Sequence, residues 1–206
     1  MLAVKLIGFA VAGVPVIGAI TYAALHRGGI GQGRFFADQS YHFQTLRVMN
    51  DIPSDGADTA EVLEAIKHIH SGDAQGWFRA WSDTGDRVAR LAATTTDPIA
   101  KGRALLRAHN YYRTAEFFLP PDDAKRPAST AENSQFFYAG LDALGVVYQR
   151  IKVPYGEGHH LVAVHYPASG GGPGKPLIVL GGGYDSTLEE LYFALVKDGT
   201  NMATPC

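Results

Sequence analysis

The chain has 206 residues, 46% hydrophobic and 18% charged, which is enough apolar material for a core and too much for an intrinsically disordered segment. A formal net charge of −2 leaves no basic excess for nucleic acid, and the single cysteine, Cys206, excludes an intrachain disulfide or a multi-cysteine metal site.

The twenty residues from Leu6 to Leu25 carry no charge and lie between Lys5 and His26-Arg27. Their length and flanks fit a membrane anchor. A secretion signal cleaved near Thr21-Tyr22-Ala23, or a buried or interfacial segment weakened as a helix by Pro15 and the glycines at 8, 13 and 18, fits as well. The expected location is therefore at a membrane, with secreted and cytoplasmic as the alternatives.

After the glycine-rich stretch Gly28 to Gly33 the pattern turns helical. Val62, Ile66 and Ile69 share one face behind the capping pair Asp58 and Glu61. A second helix is expected from about Asp73 to Leu91, with Trp77, Trp81, Val88 and Leu91 on one stripe. The third opens on Asp97-Pro98, a good cap and first position, and its seam is Ala104, Ala108, Tyr111, Ala115 and Phe118. Arg107 and Arg113 read as the solvated face of that helix. Leu119-Pro120-Pro121 ends it. A polar stretch to about Asn133 reads as a connection, and a fourth helix carries Phe137, Leu141, Leu144 and Tyr148.

At about Gln149 the period changes to two. Ile151, Val153 and Tyr155 alternate with polar residues or proline, Gly156-Glu157-Gly158 supplies a turn, and His160 to Tyr166 reads as the second strand of an antiparallel hairpin. Ser169 to Lys175 is a glycine-rich loop. Leu177 to Leu180 is apolar throughout, as a central strand covered on both faces would be. Gly181-Gly182-Gly183-Tyr184-Asp185 follows, and then a helix with Ser186 and Glu189 as a capping box and Leu188, Leu191, Tyr192 and Leu195 as its buried side.

The glycine turn is the strongest chemical signal. Glycines permit close approach of backbone to a ligand, and such a loop can supply an oxyanion donor in acyl transfer; a tight strand-to-helix turn with no chemistry is the alternative. Dinucleotide and phosphate-loop patterns fail, because Ser186 replaces the third glycine and Pro176 follows Gly174-Lys175. His68 and His70 face different sides of a helix, and His159 and His160 face opposite sides of a strand, so neither pair marks a metal. None of the eight serines, at 40, 54, 71, 82, 129, 134, 169 and 186, sits in a Gly-x-Ser-x-Gly elbow.

The order of elements, the Trp77/Trp81 helix, the segment Arg103 to Phe118, Val153-Pro154-Tyr155-Gly156 and above all Gly181 to Glu190 resemble the α/β-hydrolases related to 2,6-dihydroxypseudooxynicotine hydrolase and to fungal hydrolases that shorten polyketide pigment precursors. The resemblance runs from about Phe36 to Lys197. It implies an α/β fold with a helical cap module (34–148) ahead of the first strands and helix of a hydrolase core (149–206), following a hydrophobic segment (1–33). It further implies hydrolysis of an ester or of a C–C bond beside a ketone in a small-molecule substrate, by a Ser–His–Asp triad without cofactor or metal. Carried over by position, Gly182, Gly183 and Tyr184 form the oxyanion-hole loop, and Trp77 and Trp81 line the substrate pocket. No catalytic residue carries over, so the expectation is a hydrolase core that stops before its nucleophile, inactive alone. A membrane-attached, non-catalytic helical binding module is the competing expectation. The sequence carries no marker of oligomeric state.

Overall fold

The computed structural model describes residues 33–168 and 177–197, and the contacts divide the chain into two units, residues 1–43 and 44–206. The apolar run Leu6–Leu25, the loop Ser169–Lys175 and the tail Asp198–Cys206 lie outside the described residues. Among the described residues no helix is long and apolar enough to cross a membrane.

In the first unit Asp38 caps the start of helix α1 (Gln39–Asn50), its Oδ1 accepting from the amides of Ser40 and Tyr41 at 2.8 and 3.1 Å. The unit boundary falls inside α1, a helix that the sequence patterning misses. Its buried positions in the second unit include the polar Gln44 and Thr45 beside Val48, so it has no apolar stripe to read.

The second unit continues with a short 3-10 turn (Ile52–Ser54) and the helices α2 (Thr59–Ile66), α3 (Ala74–Thr94), α4 (Pro98–Glu116) and α5 (Arg126–Ala143). Three of them begin on an aspartate: Asp58 accepts from the amides of Ala60 and Glu61, Asp73 from Gly76 and Asp97 from Ala100. Pro98 fits the first turn of α4 because an amide there would lack a helical partner.

Helix α4 is the centre of the module, packed by α3 on one side and α5 on the other. From Ala108 to Glu116 every residue is buried. Two glycines allow the α4–α5 approach: a Cβ on Gly102 would lie 3.0 Å from the carbonyl oxygen of Gly140 and closer still to Leu144. On the α3 side Trp77 and Trp81 are fully buried, with ring centroids 5.6 Å apart. Trp77 packs edge-on to Phe118, Trp81 lies against Tyr111, and the indole Nε1–H of Trp77 donates to the carbonyl oxygen of Thr114 at 2.7 Å. Leu91, placed on the same stripe by spacing, is 51% exposed, and the neighbouring Ala92 takes the buried position after Val88.

Helix α5 begins seven residues before Asn133, inside the stretch read as a connection. Polar bonds hold this first part: Arg126 donates to the carbonyl oxygens of Glu116 and Leu119, and Thr130 and Asn133 donate to the Glu116 carboxylate. Farther along, Phe137 and Leu141 join Leu106, Tyr192 and Phe193 in a second core.

The strands β1 (Gln149–Pro154) and β2 (His160–His165) form the expected antiparallel hairpin, in register from Gln149 opposite His165 to Pro154 opposite His160. Positive φ at Gly156 and Gly158 closes its turn. Neither strand has a covered face among the described residues, and Leu161 and Val162 are about half exposed.

Leu177–Leu180 is not a strand. Ile178 and Val179 are 72% and 82% exposed, and no described strand pairs with them. Apolar composition alone does not make a strand; the ladder needs a neighbour. The chain regains regular structure in a π-helical turn (Tyr192–Val196), where Tyr192 and Phe193 are buried and Leu195 is exposed.

Candidate functional site

The turn Gly181–Asp185 is solvent-exposed, with Tyr184 99% accessible. Gly182 sits where a Cβ would come within 2.7 Å of the Ser186 Cβ, so the fold-back requires glycine. Asp185 takes the left-handed conformation at φ 65°, and the Ser186 amide donates to the Gly183 carbonyl oxygen at 3.2 Å. Among the described residues no acceptor is recorded for the amides of Gly182, Gly183 and Tyr184. The expected Ser186–Glu189 capping box is replaced by a neighbouring arrangement: Thr187 Oγ1 accepts from the Glu190 amide, and the Ser186 hydroxyl donates to the Glu190 carboxylate.

Glu190 leads from the turn into a buried charge cluster. Arg47 of α1 grips its carboxylate with Nε and Nη2, and the same Nη2 donates to the carbonyl oxygen of Asp185 at 2.9 Å. Arg113 of α4 donates to Glu190 at 3.3 Å and to Asn110 Oδ1 at 2.9 and 2.6 Å, and lies 3.6 Å from Asp51. Asn110 in turn donates to Asp51 and to the carbonyl oxygen of Gly56. Two cations and two anions thus balance.

The cluster shifts its own titrations. Burial pushes Asp51 up to about 6 against the opposing pull of Arg113 and Asn110. Burial also disfavours the Glu190 carboxylate, but the hydrogen bond from Arg47 and the charges of both arginines outweigh it and hold its pKa below the usual value. Desolvation lowers the pKa of Arg113, with Glu190 and Asp51 opposing, and the guanidinium remains charged. The hydrogen bond from Arg47 to Glu190 is the largest influence raising the pKa of Arg47.

Arg113 therefore does not belong to a solvated face, and neither does Arg107, which forks onto Glu61 at 2.9 and 3.3 Å. Tyr111 donates to the same carboxylate and accepts from the Asp58 amide, tying α4 to the start of α2. Sequence spacing gave both arginines to solvent because their carboxylate partners lie tens of residues away. A signal was present: Arg113 interrupts a run of core-type residues, Tyr111-Tyr112 before it and Thr114-Ala115 after it.

Trp77 and Trp81 lie inside the helical module, in contact with each other and with Tyr111 and Phe118. His109 is also fully enclosed, its Nδ1 3.0 Å from the Asn133 carbonyl oxygen and its ring stacked on Phe193, and burial pulls its pKa down to about 3. His109 is therefore neutral at ordinary pH and sealed away from the turn's open face.

Residues 47–202, which contain helices α2 to α5 and the glycine turn, match the Esterase FrsA-like family. The chain belongs to this family. Its fold is accordingly part of an α/β-hydrolase, with the helices leading into the hairpin and the turn. The hydrolase acrC of Aspergillus aculeatus is 35% identical over 178 residues, covering 78% of this chain and 42% of its own. The 20-hydroxy-prefusarin hydrolase of Gibberella moniliformis is 33% identical over 172 residues, covering 78% and 40%, and the alpha/beta hydrolase psoB of Aspergillus fumigatus is 32% identical over 171 residues, covering 78% and 38%. The crystal structure of the 2,6-dihydroxy-pseudo-oxynicotine hydrolase superposes with a TM-score of 0.46 at 18% identity, covering 61% of this chain and 35% of that one. The chain spans about two fifths of the length of the curated relatives it matches.

Proposed function

We propose that this chain supplies the helical cap (34–148) and the start of the core (149–206), with its oxyanion-hole loop Gly182–Tyr184, of a serine hydrolase that cleaves a polyketide-type or aryl-ketone or ester substrate in secondary metabolism. The observation that carries the reading is that the family match extends unbroken from the helices through Gly181–Asp185, where no acceptor is recorded for the amides of Gly182, Gly183 and Tyr184 among the described residues. When a serine oxygen attacks a carbonyl, the carbonyl oxygen becomes an anion, and the N–H groups of Gly182, Gly183 and Tyr184 would stabilise it. In such donor arrays each hydrogen bond contributes roughly 3–4 kcal/mol to the transition state. The Trp77/Trp81 pair would stiffen the wall of the substrate pocket.

The nucleophile must come from a Gly-x-Ser-x-Gly elbow, and none of the eight serines here sits in one. Two experiments test the reading. The 206-residue chain should take no label from a fluorophosphonate probe and leave p-nitrophenyl acetate intact; a labelled serine would place the nucleophile within it. Full-length transcript sequencing should reveal a Gly-x-Ser-x-Gly within roughly 100 codons beyond Lys197. A transcript without one would remove the hydrolase reading.

Attachment to a membrane through Leu6–Leu25 belongs to the same proposal, supported by twenty uncharged residues in a row. A reporter fused to residues 1–33 should sediment with membranes, and a soluble, unshortened fusion would count against the anchor.

A further inference from the structure

We propose that Arg47 is a positioning residue: it holds the Gly181–Asp185 turn in its open-amide conformation and so places the turn under the control of the helical module. The functional meaning of this control rests on the oxyanion reading above. Within itself the turn has little to hold it. Its internal backbone bond is the one from Ser186 to Gly183, and Asp185 stands in the left-handed region that residues with a Cβ avoid. The external hold comes from Arg47 Nη2, which reaches the Asp185 carbonyl oxygen at 2.9 Å while the rest of the fork is bound to Glu190.

A surface ion pair would contribute little, but this pair is enclosed: the side chains of Arg47 and Glu190 are 16% and 12% exposed. The guanidinium also lies over the Phe117 ring, 5.9 Å from its centroid. Glu190 is itself pinned by Arg113 and by the Ser186 hydroxyl, and Arg113 by Asn110 and Asp51. A continuous set of contacts therefore runs from the carbonyl of Gly56 and the carboxylate of Asp51 to the backbone of Asp185. Lysine has one nitrogen and cannot serve the carboxylate and the carbonyl in the same plane.

NMR spectroscopy of the 206-residue chain tests this. In Arg47→Lys the amide resonances of Gly182, Gly183 and Ser186 should shift, the Asp185 carbon shifts should leave left-handed values, and exchange of the Ser186 amide should rise roughly tenfold or more. Glu190→Gln, which removes the charge that orients Arg47 while keeping its shape, should reproduce the change and covers the case in which Arg47→Lys does not fold. Val88→Ala, which weakens the α3 core away from the turn, should lower the Tm and leave those resonances in place. Unmoved resonances in Arg47→Lys and Glu190→Gln would overturn the proposal, as would the same displacement in Val88→Ala, which would mark general loosening. None of these readouts uses catalysis. An unmoved turn removes Arg47 from the site and leaves the hydrolase reading standing, and failure of the hydrolase reading leaves the NMR result as it is.

Discussion

Arg113 and Glu190, 77 residues apart in the chain, meet at 3.3 Å with side chains only 7% and 12% exposed. Taking two charges out of water costs several kcal/mol per ion, and the pair is sustained because Asn110, Asp51 and Arg47 satisfy the remaining donors and acceptors.

Removing one member leaves the others uncompensated. Arg113→Met should lower the unfolding free energy by about 3–5 kcal/mol in urea titrations. A loss below about 1 kcal/mol would show that water already screens the cluster.

The acid limb of stability should belong to His109. Its pKa falls from 6.5 to about 3 on folding because burial excludes the cation, so the unfolded chain takes up the proton first as the pH drops. Stability is intact above about 6.5 and declines toward 3. Asp51, raised from 3.8 to about 6, acts in the opposite sense: the fold retains a proton the unfolded chain has lost, so its contribution falls as the pH rises through that window. The wider histidine window dominates below pH 4. In His109→Gln the loss of stability between pH 6.5 and 3, read from urea midpoints, should be distinctly shallower, and an unchanged slope would show that other groups set it.

Gly102 should tolerate no side chain. An added Cβ would stand 2.5 Å from Leu144 Cγ and 3.0 Å from the Gly140 carbonyl oxygen, and a backbone atom cannot swing aside. Gly102→Ala should therefore destabilise by about 1–3 kcal/mol, although alanine favours a helix over glycine by roughly 1 kcal/mol. A rise in Tm would mean that α4 and α5 are less closely seated.

The run Leu177–Leu180 should govern solubility rather than stability. With Ile178 72% and Val179 82% exposed, neither contributes to a core, and an apolar extended segment is a template for association. The double substitution Ile178→Lys, Val179→Thr should raise the concentration at which light scattering appears. Its Tm should stay level, since surface changes are usually within about 0.5 kcal/mol.

What could be read in the sequence was local. Asp58, Asp73 and Asp97 cap their helices as the residue types suggest, and the two strands pair as their alternation requires, because each signal and its partner lie a few residues apart. Helix α1 and the first turns of α5 were hidden because they are held by polar contacts such as Thr130 to Glu116, which leave no apolar period. The charge cluster was hidden for a related reason. A buried arginine and a solvated one look alike until the partner arrives from another element. The glycine turn was legible as a turn, but its dependence on Arg47 was not.

Trp77 and Trp81 are the only two tryptophans in the chain, and they touch each other within the α3–α4 interface. Tryptophan fluorescence, excited apart from that of the ten tyrosines, is therefore confined to one seam. A blue-shifted emission will report that this seam has closed and will say nothing about the hairpin or the turn. A denaturation curve followed by emission and one followed by far-ultraviolet dichroism will coincide only if those later elements fold in the same cooperative step.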